Sequence, residues 1–207
     1  KPPPIPIMRP EMGDEEIALV AETIRSGWIT QGPRVKELEA AFCAHTGAAH
    51  AIAVTNCTTA LHLSLLVLEV GPGDEVIVPP HSYIATANAV LYCGATPVFA
   101  DIDPISLNLD PQKVTAAITP RTKAIIAVHQ VGRPAALVEL SLIAKKHGVA
   151  LVEDAACAAG SEYRSKPIGS NEWSSLVCFS FHPRKIISTG DGGMITTNRA
   201  DFAAKLR

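Results

Sequence analysis

Short apolar runs bounded by turn-forming residues recur along this chain, and segments of helical periodicity separate them. That alternation dictates an α/β fold. A run too short for a helix must pair with its neighbours, and a helix between two such runs makes the crossover that leaves them parallel. Seven runs qualify as strands: 51–54, 75–78, 97–100, 123–128, 150–153, 176–181 and 194–197. The intervening periodicity predicts helices over 58–70, 83–93, 111–118 and 136–147, with two more over 14–26 and 34–45 ahead of the first strand. Asp14 is a candidate N-cap, and Gly27 and Gly47 are candidate terminators. The middle strands are apolar at every position, which calls for helices on both faces of the sheet. Gly71-Pro72-Gly73-Asp74, Gly94-Ala95-Thr96-Pro97 and Gly148 punctuate the boundaries.

With 207 residues and 47% hydrophobic side chains, the chain can bury a substantial core. Eighteen basic residues against twenty acidic ones leave a net charge of -2, so no basic field exists to hold a nucleic-acid backbone. No apolar run reaches the length of a membrane span, and Lys1-Pro2-Pro3-Pro4 does not lead into a signal segment. A soluble, cytoplasmic protein is the expectation. Pro2 to Pro6 should form an extended arm. Cys43, Cys57, Cys93, Cys157 and Cys178 lack the paired spacing of a zinc site and read as free thiols. The first residue is not methionine and 203–207 reads as a helix cut off in mid-pattern, so a fragment of a longer protein is expected.

Ligands of open α/β sheets gather at the carboxyl ends of the strands, and four such ends carry chemistry here. After the first strand, Asn56-Cys57-Thr58-Thr59 opens a helix whose free N–H groups suit a phosphate, although Asn56 or Thr58 could equally serve as a plain cap. After the second, Pro79-Pro80-His81-Ser82-Tyr83 places an aromatic ring that could pack or stack on a flat ligand. The fifth closes on Glu153-Asp154, and a carboxylate there needs a partner. Asp154 could cap the next segment or hold a protonated ring nitrogen. The sixth leads into Ser180-Phe181-His182-Pro183-Arg184-Lys185 and a glycine turn, Gly190-Asp191-Gly192-Gly193. Neighbouring cations and desolvation lower an amine's proton affinity, which is what a Schiff-base lysine requires, so Lys185 stands apart from an ordinary surface lysine.

These segments together resemble the DegT/DnrJ/StrS family of pyridoxal 5'-phosphate (PLP) dependent sugar aminotransferases. The resemblance is carried by Ser26-Gly27-Trp28-Ile29-Thr30-Gln31-Gly32-Pro33, by 56–62, by 71–77, by 85–88, by 94–99 with Asp101-Ile102-Asp103-Pro104, by 152–156, and by Phe179-Ser180-Phe181-His182-Pro183 with Lys185. It implies a fold-type I aminotransferase large domain over 33–207, preceded by an arm and helix over 1–32. It also implies a seven-stranded, mostly parallel sheet whose last strand runs antiparallel. In that likeness Lys185 is the Schiff-base lysine and proton shuttle, Asp154 pairs with the pyridine nitrogen, Tyr83 stacks on the ring, and Cys57, Thr58 and Ser180 hold the phosphate. The implied reaction transfers an amino group from L-glutamate to a nucleotide-linked 4-keto-6-deoxy sugar, in a homodimer. The Phe-Ser-Phe-His-Pro-x-Lys form and the 101–104 context look most like the branch acting at C4 of UDP-linked sugars on the route to pseudaminic acid.

Three departures qualify the likeness. Cys157 stands where the family commonly has Gln or His against the cofactor's phenolic oxygen. Asp191 replaces a usual Glu, and the family continues beyond the position of Arg207 into a smaller domain. A non-catalytic PLP-fold protein with a binding or regulatory role is therefore an alternative reading. The related sugar dehydratases carry histidine in place of the lysine, which Lys185 opposes, and no GxGxxG follows the first strand to signal a dinucleotide-binding protein.

Overall fold

The computed structural model describes residues 8–207; the proposed proline arm, 2–6, lies outside them. Helix α1 (Asp14–Ser26) starts from Gly13, not from Asp14 as the sequence predicts. Glu16 folds back so that its carboxylate accepts the Gly13 N–H at 2.7 Å, which leaves Asp14 free to enter the first turn as a helical residue. Gly27 ends the helix in the left-handed region. Helix α2 (Pro33–Thr46) follows at once, with proline at its first position and Gly47 as terminator. Its cap is Gly32 because the Trp28 indole lies flat against that residue: a Cβ there would come within 2.1 Å of Nε1.

Strand β1 (His50–Val54) leads into α3 (Cys57–Val67), β2 (Glu75–Val78), α4 (Ala85–Tyr92) and β3 (Thr96–Phe99). Then come α5 (Pro111–Ala117), β4 (Thr122–Val128), α6 (Leu137–His147) and β5 (Ala150–Asp154). A small hairpin, β6 (Glu162–Tyr163) with β7 (Lys166–Pro167), precedes β8 (Leu176–Ser180), β9 (Gly193–Thr197) and α7 (Ala200–Leu206). All seven sequence-predicted strands are present in one sheet, ordered β1-β9-β8-β5-β4-β2-β3. Strands β3, β2, β4, β5 and β8 run parallel to one another, and β9 is antiparallel to both β8 and β1.

Two helix boundaries differ from expectation. Helix α3 stops at Val67, and Glu69 then adopts a left-handed φ of 60°. Helix α4 begins at Ala85, so Tyr83 lies in the turn before it, held by a bond from the Thr86 N–H to the Tyr83 carbonyl at 3.1 Å.

The period-two alternation of the strands divides the core between the faces. Ile125, Ala127, Leu151, Val177 and Phe179 face α2, α5 and α6, where Phe42, Val114 and Leu140 cover them. Ala124, Ile126, Val152, Leu176 and Cys178 face α3, α4 and α7, where Leu61, Leu65, Ala89 and Phe202 cover them. At about 25 cal/mol per Å² of apolar surface, burial on two faces makes these central strands the main source of stability. The same alternation sends Asp154 and Ser180 toward α3 and Glu153 toward the other face. Among the described residues no helix is long and apolar enough to cross a membrane.

Candidate active site

A cavity of about 600 Å³ opens at the carboxyl ends of the parallel strands. Cys57, Thr58, Tyr83, Asp154, Ser180 and Lys185, six of the seven residues singled out in the sequence, line it. The seventh, Cys157, sits beside it, with its thiol accepting a hydrogen bond from the Lys185 Nζ at 3.2 Å.

Asp154 forms the floor. It closes β5, is 5% exposed, and has no ion-pair partner among the described residues. Its Oδ2 accepts the Thr86 hydroxyl at 2.8 Å. Because Thr86 spends its only hydroxyl proton on the carboxylate, the 2.7 Å contact between Ser82 and Thr86 has Ser82 as donor. The other oxygen, Oδ1, accepts the Ala156 N–H at 3.2 Å, with the Cys57 thiol 4.0 Å away. Burial pushes the Asp154 carboxyl above the ordinary aspartate range, and the bonds from Thr86 and Ala156 oppose that without cancelling it. Behind it, Glu153 faces the opposite side of the sheet and meets His129 Nε2 at 2.8 Å. The His129 Nδ1 accepts the Ala135 N–H at 3.1 Å, so Nε2 carries the proton and donates it to Glu153. Glu153 is further held by the Ser174 hydroxyl at 2.5 Å, and the His129 N–H donates to the Asp154 carbonyl at 3.0 Å. The end of β5 is thus fixed from both faces.

The N-terminus of α3 forms one wall. Asn56 is its N-cap, with the side-chain oxygen accepting the Thr59 N–H at 2.9 Å. Of the alternatives left open by the sequence, the cap is present: Asn56 satisfies one N–H of the first turn, and Cys57 and Thr58, whose own N–H groups have no acceptor within the helix, line the cavity. Gly193 sets the position of this turn. It pairs with both Val54 and Ser180 at the edge of the site, and a Cβ on it would lie 2.6 Å from the Asn56 carbonyl carbon and 2.9 Å from the Cys57 nitrogen.

The other wall is the loop between β8 and β9. The Lys185 N–H donates to the His182 carbonyl at 2.8 Å, and the Ser188 hydroxyl and Thr189 N–H both close on the Phe181 carbonyl, at 3.0 and 3.1 Å. This turn presents Lys185, His182 and Arg184 to the cavity. Tyr83 stands at the mouth, 78% exposed. Sequence reasoning gave no role to Ser82 or Thr86, since their link to Asp154 spans 68 positions from the nearer partner; the hydroxyls opening α4 after a strand end were the available signal.

This sheet order, with a buried carboxylate, a helix N-terminus and an amine meeting at the strand ends, is that of a fold-type I aminotransferase large domain. Residues 10–207 match the DegT/DnrJ/EryC1/StrS aminotransferase family, and the chain belongs to it. It is 46% identical over 203 residues to the spore coat polysaccharide biosynthesis protein SpsC of Bacillus subtilis (strain 168), covering 98% of this chain and 52% of that protein. Among solved structures, S. venezuelae DesV in complex with a ketimine intermediate superposes with a TM-score of 0.90 at 43% identity, over 93% of this chain and 52% of DesV. DesI in the presence of its TDP-sugar product gives 0.89 at 38% identity, over 99% and 52%. The chain spans about half the length of the relatives it matches.

Proposed function

We propose that this chain is the cofactor-binding part of a PLP-dependent aminotransferase that transfers an amino group from L-glutamate to a nucleotide-linked 4-keto sugar. The observation that carries the reading is the buried Asp154 carboxylate, which lacks a cation in a cavity that also holds the Lys185 amine and the open turn of α3. A cationic ring nitrogen, an aldehyde and a phosphate on one ligand answer those three features together. When bound, PLP supplies an electron-accepting ring conjugated to the reacting carbon.

The protein's own part follows from the geometry. Asp154 would hold the ring nitrogen protonated, with Oδ2 engaged by the Thr86 hydroxyl at 2.8 Å and Oδ1 by the longer contacts from the Ala156 N–H and the Cys57 thiol. The Cys57 and Thr58 N–H groups and the Ser180 hydroxyl would take the phosphate, and Tyr83 at the mouth would cover the ring. Lys185 Nζ would bind the aldehyde and, when released by an incoming amine, move a proton between substrate carbon and cofactor. The Cys157 thiol, in hydrogen-bond contact with that amine, would stand where relatives place an amide or imidazole. The finer proposal is amination at C4 of a UDP-linked 4-keto-6-deoxy amino sugar. It is supported by the Phe-Ser-Phe-His-Pro-x-Lys and 101–104 likeness and by family membership alongside a polysaccharide-biosynthesis relative.

The test starts with borohydride reduction of the PLP-loaded full natural protein and peptide mapping, which should place the adduct on Lys185. In a separate, unreduced sample, L-glutamate should bleach the cofactor's absorbance, and a UDP-linked 4-keto sugar should restore it. An adduct on Lys166 or any other lysine would refute the assignment.

A further inference from the structure

We propose that Cys157 and Lys185 form an oxidative modification site, at which a hydroperoxide oxidises the Cys157 thiol and the Lys185 amine captures the product as a thiol-reversible sulfur–nitrogen bond. The two groups come from different strand ends yet meet at 3.2 Å, Nζ to Sγ. Both are held from behind. The Cys157 carbonyl packs so closely on Gly132 that a Cβ there would lie 2.9 Å from it, and the Ser161 hydroxyl bonds the Gly132 carbonyl at 2.8 Å. The Lys185 backbone is fixed by its bond to the His182 carbonyl. Each group is half-buried, so a small oxidant can reach the sulfur while little chain freedom is lost when the bond forms.

The other four thiols do not compete well. Cys57 and Cys178 are buried, and burial pushes their thiols well up; Cys178 also shares a 3.2 Å contact with the Ser64 hydroxyl. Burial raises Cys93 and Cys43 as well. Since the thiolate is the reacting form, oxidation is directed away from all four.

The chemistry balances in two steps. The Cys157 sulfur takes an oxygen from the hydroperoxide, whose O–O bond breaks and which leaves as alcohol or water; sulfur is oxidised to the sulfenic acid. The Lys185 nitrogen then attacks that sulfur, the S–O bond breaks, and the hydroxyl leaves as water with a proton from the nitrogen. No further oxidant is consumed. A cellular thiol reverses the bond by attacking sulfur and releasing the amine, with a second thiol regenerating Cys157. The consequence for function rests on the proposed role of Lys185, because PLP and oxidised Cys157 would compete for one amine.

Full natural protein is treated with hydrogen peroxide, with and without saturating PLP, then digested without reductant. The expected product joins the Cys157 and Lys185 peptides and is lighter than their sum by two hydrogen atoms. It should vanish on adding dithiothreitol, be suppressed by PLP, and be absent from Cys157→Ser. In Lys185→Arg, Cys157 should instead run on to sulfinic acid. Wild-type Cys157 recovered as sulfinic acid with Lys185 unlinked, or as a disulfide to Cys57, would overturn the proposal. Borohydride mapping of untreated protein separates the two readings: PLP on another lysine would sink the catalytic role and leave the linked peptides standing.

Discussion

Burial holds the Asp154 carboxyl above its ordinary range, and the sign of that shift has a consequence for stability. A raised folded-state value means the folded chain prefers the protonated acid. The associated stability is fully present below the unfolded value of about 3.9 and is lost as pH rises through the folded value. At neutral pH, without a bound cation, the ionised group therefore works against folding. Asp154→Asn should raise the stability of PLP-free protein by roughly 1 kcal/mol or more and flatten its dependence on pH, because it removes an uncompensated buried charge. An amide oxygen can still accept the Ala156 N–H while the amide N–H donates to the Thr86 hydroxyl, which turns its own proton to Ser82, so the loop should keep its shape. Transamination should fall by about 100-fold or more, since a neutral group cannot hold the ring proton. Thermal melts of both proteins without PLP, across pH 4 to 8 or so, check the first half, and single-turnover kinetics the second. A variant that is no more stable at pH 7 and turns over normally would reduce Asp154 to a structural cap.

The turn that opens α3 depends on what faces it across the sheet edge. Alanine usually favours a strand over glycine by about 0.5–1 kcal/mol, so sequence propensity alone would make Gly193→Ala harmless. The added Cβ, however, would sit 2.6 Å from the Asn56 carbonyl carbon, a contact with backbone that no rotamer relieves. Overpacking of this kind costs about 1–3 kcal/mol, which outweighs the gain. The cheapest relief is to push the Asn56–Cys57 peptide away, and the N–H groups bordering the cavity move with it. Gly193→Ala should therefore weaken PLP binding at least about tenfold while lowering the melting temperature only modestly. Fluorescence titration with PLP, beside a melt, reads both; unchanged affinity would show that the turn is set elsewhere. The strands themselves were legible in the sequence because each is a short apolar run bounded by turn-forming or polar residues, and the structure keeps all seven. The β6–β7 hairpin was not: two-residue strands carry no period, and what holds them is tertiary, including the edge-on packing of Tyr163 on Trp173 at 5.0 Å. The same limit hid the Ser82–Thr86–Asp154 chain and the His129–Glu153 pair. The motif residues could be read at their strand ends, but the side chains that orient them come from other elements and are brought there only by the fold.

At the scale of the molecule, the least satisfied surface among the described residues is α1 and the segment after it. Helix α1 buries none of its residues, yet Ile17, Val20 and Ile24 recur at three- and four-residue spacing on one side and are 66%, 58% and 64% exposed. Trp28 and Ile29 continue the apolar surface at the helix end, and Tyr83 and Ile84 stand exposed at the mouth of the cavity. Single exposed apolar residues need no explanation, but a helix with a complete apolar side that none of the described residues buries does. We propose that a second copy covers it, in the two-fold arrangement that is commonest among homo-oligomers and that the family resemblance implies. The full natural protein should then sediment as a dimer at micromolar concentration. Ile17→Lys with Ile24→Lys should weaken dimerisation by roughly tenfold or more while leaving the seven-stranded core intact, because neither side chain contributes to it. Wild-type protein that sediments as a monomer and remains fully active would rule the interface out. A double variant that dimerises as tightly as wild type would move the interface away from α1.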